Sequence, residues 1–83
     1  MPYIPQDRRK DFQRDIASLV AEIKTEGELT FVLYAICVGL WRIHQRYVSI
    51  NHITGSLLDA WHEFKVRISD PYECSARERN GDV

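Results

Sequence analysis

Asp59 and Glu63 stand four residues apart, so on a helix their carboxylates share a face and could hold one cation between them. Asp59 with His62 also resembles, loosely, the carboxylate-x-x-His pattern of helical-bundle metal sites. Those sites face inward and draw on a second helix. Here the stripe formed with His52 lies opposite the apolar seam, and no other segment repeats the pattern. A solvated face is the expected role, and no metal site is assigned. His44, His52 and His62 show neither HxH nor HExxH spacing, and His62 and Glu63, as helix neighbours, point about 100° apart. Ser49, Ser56 and Ser69 have no glycine elbow or paired base and acid, and the four glycines are too scattered for a phosphate loop. Trp41 and Trp61 have the chemistry of base-stacking platforms, but both fall on apolar stripes where core or protein contact is the simpler role. No catalytic residue and no cofactor are assigned.

The elements that would position these groups belong to one small domain of 83 residues, with 45% hydrophobic and 28% charged residues. That balance suits a folded chain and argues against disorder. A net charge of −1 supplies no field for nucleic acid, although Arg8, Arg9, Lys10 and Arg14 form a local basic patch interleaved with Asp7, Asp11 and Asp15. Two cysteines, Cys37 within a helix and Cys74 near the end, are too few for a disulfide framework and fit a reducing setting. The opening MPYIPQDRRK does not read as a signal peptide, and the longest apolar run spans about 22 Å, short of a bilayer core of about 30 Å. A cytoplasmic protein with no membrane role is expected.

Pro2 and Pro5 predict an extended N-terminal arm, with Tyr3 and Ile4 docking it on the body. Phe12, Ile16, Leu19, Val20 and Ile23 recur at helical spacing and predict a helix over about 7–24. Thr25 and Glu28 form a capping box that starts a second helix over about 26–47. Gly39 inside it costs roughly 1 kcal/mol relative to Ala, which predicts a close backbone approach at that point. A link at Val48–Asn51, capped by Ser49 or Asn51, should lead into a third helix over about 50–69, stopped by Asp70-Pro71. Residues 70–83 show no periodicity and predict an irregular tail that turns at Asn80-Gly81. The fold class is all-α: a three-helix bundle with an extended N-terminal arm and an irregular C-terminal tail. Its core seam is predicted to comprise Phe12, Ile16, Leu19 and Ile23 with Leu29, Leu33, Ile36 and Leu40, closed by Leu57, Trp61, Phe64 and Ile68.

Helix two is apolar twice over. Leu29, Leu33, Ile36, Leu40, Ile43 and Tyr47 form one stripe, and Phe31, Tyr34, Val38 and Trp41 form another on the far side. A surface helix carries one such stripe. The second is expected to be covered by a second subunit or by the N-terminal arm, which makes Phe31, Tyr34, Val38 and Trp41 candidates for a homodimer interface.

Lys24-Thr25 with Gly27-Glu28-Leu29, Glu63-Phe64 with Arg67 and Pro71-Tyr72-Glu73, and the Asn80-Gly81-Asp82-Val83 ending occur here together with an MPYI opening. In this combination the chain resembles a family of small helical bacterial, archaeal and phage proteins of unknown function, over essentially its whole length. The resemblance implies a helical fold and no transferable activity. It points to a tail-anchoring or binding role for Glu63, Arg67, Glu73, Asn80 and Asp82, with Arg67 pairing Glu63 four residues earlier and Glu73 after the turn. The function is unknown. The first expectation is a small non-enzymatic homodimer with a protein-interaction or adaptor role and no identified protein partner. The alternative is a binder or hydrolase of a small ligand or nucleotide phosphate, using the acidic and arginine cluster near the tail; nucleic-acid binding stands last.

Overall fold

The computed structural model describes residues 3–81, and these are helical almost throughout, with no strand among them. Helix α1 spans Gln6–Glu22, α2 spans Glu26–Ile43 and α3 spans Tyr47–Phe64. A π-helical turn, Lys65–Ser69, joins α3 to α4, Asp70–Asn80. Because Phe64, Lys65, Ser69 and Asp70 all keep right-handed helical dihedrals, α3, the π turn and α4 make one continuous rod. At 1.5 Å per residue its 34 positions account for the 50 Å longest dimension of the molecule. The arrangement is thus three helical bodies: α1, α2 and the composite rod. Among the described residues no helix is long and apolar enough to cross a membrane.

Local chemistry explains the α1–α2 break. Ile23 leaves the helix with ψ 121°. Thr25 Oγ1 then accepts from the Glu28 backbone N–H at 3.1 Å, while Glu28 Oε1 accepts from the Thr25 N–H at 3.1 Å and from the Lys24 N–H at 2.6 Å. The capping box therefore forms as the residue types predict, and it satisfies donors that a helix start would otherwise leave open.

The α2–α3 link differs from expectation. The break falls at His44–Arg46, where His44 (ψ 94°) and Arg46 (ψ 152°) are extended, so Tyr47 opens α3 and leaves the first α2 stripe. Ser49 and Asn51 lie inside α3 and are not its caps; the Arg46 carbonyl accepts from the Ser49 and Ile50 N–H groups without any side-chain cap.

Residues 70–80 are a further correction, because they form a helix and not an irregular tail. Proline in an α-helix lacks the N–H for the carbonyl four residues back, and its ring collides with that carbonyl. The π turn ahead of Pro71 removes the conflict by widening the helix, with the Asp70 N–H donating to the Lys65 carbonyl five residues back. Residues five apart become neighbours there, and Lys65 Nζ lies 3.1 Å from Asp70 Oδ1. Acidic Asp70 and Glu73 in the first turn of α4, with Arg77 and Arg79 in the last, suit the helix dipole. Gly81, at φ 79° and ψ 133°, ends the helix at a positive φ that glycine, lacking a Cβ, adopts without a clash.

Packing departs furthest from expectation. Among the described residues not one is buried. The predicted core seam is in place as a pattern, but Phe12, Leu33, Leu40 and Leu57 are each more than two-fifths exposed, and Trp61 and Phe64 are 61% and 62% exposed. The reason lies in the spacing of the helices. No Cα of α1 comes within 8 Å of another helix, and α2 meets α3 alone, beside crevices that Cys37 and Ile53 both line. The radius of gyration is 16.3 Å, against about 12 Å for a compact chain of this length.

Candidate functional site

Two features of the chain could act on a partner: the apolar surface of α2 with its neighbours, and a polar clasp at the end of α3.

Cys37 and Ile53 are half-buried at the α2–α3 contact. They line crevices on both sides of it, one with Val38, Trp41, Ile50 and Thr54, the other with Ile36, Leu40, His52 and Leu57. Helix α3 therefore lies over the line of Cys37, which runs between the two apolar stripes, and neither stripe is fully covered. Of the four interface candidates, Val38 is half-buried, Trp41 is 37% exposed against the start of α3, and Phe31 and Tyr34 are both 68% exposed. Phe31 also lines the corner where α1 turns into α2, with Leu19 and Ile23. For Val38 and Trp41, part of the cover expected from a second subunit or the N-terminal arm comes from the first turns of α3.

Gly39 does not mark a close approach within the chain, since a methyl group there would meet no atom within 4 Å. Cys37 is half-buried and Cys74 exposed, and both are free thiols.

The clasp joins three side chains. Arg67 Nε donates to Glu63 Oε1, one helical turn away. Tyr3 Oη donates to the same oxygen at 2.6 Å and accepts from Arg67 Nη2 at 3.2 Å, with the Arg67 guanidinium 6.0 Å from the Tyr3 ring centre. Donor and acceptor roles close the triangle without conflict. The Tyr3 hydrogen bond, then the Arg67 hydrogen bond and charge, hold the Glu63 carboxyl below its ordinary pKa. The Tyr3 and Glu63 hydrogen bonds raise that of Arg67. Arg9 Nε donates to the Ile4 carbonyl at 3.0 Å and fixes the other end of the arm against α1.

The clasp includes two of the five tail candidates. Glu63 and Arg67 pair as the spacing predicts, but they hold the N-terminal arm and not the C-terminal segment. Glu73 makes no ion pair among the described residues; it lines a shallow depression on α4 with Ala76, Arg77, Asn80 and Gly81. Asp82 lies outside the described residues. Sequence reasoning missed Tyr3 as the third partner, sixty residues from Glu63, and the one signal for it was the aromatic residue in an otherwise extended arm.

Chemically, the clasp is a closed set of hydrogen bonds. An incoming phosphate would compete with a carboxylate and a phenol already seated on Arg67. Among the described residues no group of three or more His, Cys, Asp or Glu side chains gathers as a metal site would require. The basic patch is partly engaged too, with Arg8 Nη1 2.6 Å from Asp11 Oδ2 and its guanidinium 4.6 Å from the Phe12 ring centre.

No curated protein and no solved structure matches the chain. The profile of one family does match, over residues 1–83, and the chain belongs to that family, a domain of unknown function designated DUF6899.

Proposed function

We propose that the protein is a non-enzymatic helical homodimer with a protein-interaction or adaptor role, in a reducing, cytoplasmic setting that suits its two free thiols. The observation that carries this reading is the absence of any buried residue among those described, in a chain that is 45% hydrophobic. Soluble monomers seldom expose an apolar patch beyond a few hundred Å². Here both sides of α2 and the apolar face of α1 stand open together. Phe31 and Tyr34 favour contact with another protein, since aromatic residues are enriched where interfaces bury their centres. Near-neutral net charge allows two copies to approach without strong repulsion.

Sedimentation velocity tests the reading directly. The expected result is a species of twice the 9.7 kDa chain mass at micromolar concentration. A single 9.7 kDa species with full helical circular dichroism would overturn it.

A further inference from the structure

The dimer reading leaves open whether two finished protomers dock or whether neither is finished alone. We infer that the second copy supplies the core: the partner reaches around α2 and covers both of its apolar stripes, so that folding and association are one event. The inference rests on the dimer reading and adds a mode of assembly to it.

Area is the first argument. The chain exposes 7678 Å². A compact monomer of 9.7 kDa exposes about 5,100 Å², which leaves an excess of about 2,500 Å² per chain. If two copies cover that excess on each other, the interface totals about 5,000 Å², in the class of obligate homodimers and well above the roughly 1,600 Å² of docked, independently folded partners. One further copy is therefore the occupant whose size fits the uncovered surface.

Geometry is the second. Leu29, Leu33 and Leu40 lie on one side of α2, and Phe31 and Tyr34 on the other; all are exposed by 46% or more. A flat two-fold interface covers one side of a helix and leaves the other in water. Covering both requires the partner to enter the crevices on either side of the α2–α3 contact. It is admitted there because α1 stands clear of the other helices.

Entropy is the third. Ordering a chain costs conformational entropy at every residue, and burial of apolar surface is the principal compensation. With no buried residue among those described, a lone protomer sets less apolar burial against that cost than a compact domain of its size does.

The test is thermal unfolding followed by circular dichroism from about 2 to about 200 µM, with mass measured by sedimentation at each concentration. For coupled folding and dimerisation, the typical unfolding enthalpy per residue gives a midpoint that rises by roughly 9 °C over that hundredfold range. Dilution at fixed temperature should lower mass and helicity in parallel. A dimer whose midpoint does not move with concentration would overturn the inference and leave the dimer reading standing. The same holds if dilution yields helical, cooperatively unfolding monomers. Helical monomers at every concentration would overturn both. A tetramer or larger species would overturn the assignment of a single second copy.

Discussion

Helices α2 and α4 both lack a single buried residue, and for opposite reasons. Helix α4, DPYECSARERN, carries one large apolar side chain, Tyr72, with the Arg79 guanidinium 5.8 Å from its ring centre; water is its proper surrounding. Helix α2, EGELTFVLYAICVGLWRI, is apolar on two sides and exposed on both. Exposure alone therefore says little. What distinguishes the two is whether the side chains lose free energy by staying wet, about 25 cal/mol per Å² of apolar surface.

Opposed charges on the two helices give the sharpest way to break this comparison. Leu33→Asp and Tyr34→Asp place a carboxylate on opposite sides of α2. If a partner covers both sides, each change should dissociate the dimer in sedimentation and remove most helicity at micromolar concentration, because an unpaired charge in an apolar interface costs several kcal/mol. Glu73→Ala and Arg77→Asp on α4 should change stability by about 0.5 kcal/mol or less. Loss of assembly from only one of the α2 pair would indicate a one-sided interface.

Next in size is Trp61→Ala. In the single chain Trp61 is 61% exposed, and its removal should cost little. Covered by a partner, the same truncation should cost about 3–5 kcal/mol, read as a lower thermal midpoint that recovers in part as protein concentration rises. A midpoint equal to the wild type's at every concentration would return α3's apolar seam to ordinary surface.

Gly39 tests the same contrast at finer scale. An added methyl meets open space within the chain, so Gly39→Ala should gain up to about 1 kcal/mol from helix propensity alone. A lowered midpoint would mean that a second chain's backbone passes close to Gly39.

What was legible in the residues divides by range. The Thr25–Glu28 box and the Glu63–Arg67 pair are local, decided by spacing of three and four, and both stand where spacing puts them. Apolar periodicity likewise marked which faces must leave water. It could not say how little of those faces the chain itself would cover, because period carries no information on which surface a stripe meets. Pro71 was misjudged for another reason. The rule that proline stops a helix assumes an unbroken α register, and one π turn shifts that register and carries the helix onward. Tyr3 docks the arm on the body as its aromatic side chain suggested, but its partners were invisible, because nothing in the 59 intervening residues specifies that the arm returns to the end of α3.

The smallest expected effect lies at that clasp, which touches neither stripe of α2. Hydrogen bonds from Tyr3 and Arg67 favour the ionised Glu63 carboxylate and hold its pKa below the ordinary glutamate value. A carboxyl whose pKa is lower folded than unfolded contributes stability above its unfolded pKa and loses it as pH falls through the folded one. The clasp should thus be complete at neutral pH and open in acid, below the ordinary glutamate range of about 4.3. Tyr3→Phe removes both hydroxyl hydrogen bonds while keeping the ring, and should reproduce the acid state at neutral pH. NMR is the measurement: the Tyr3 ring resonances should move with a single acid titration that Glu63→Gln abolishes. Amide exchange at Ile4 should quicken in Tyr3→Phe while helicity and sedimented mass stay unchanged. A change in mass would mean that the arm is part of the interface after all, and that the polar clasp and the apolar surface act together.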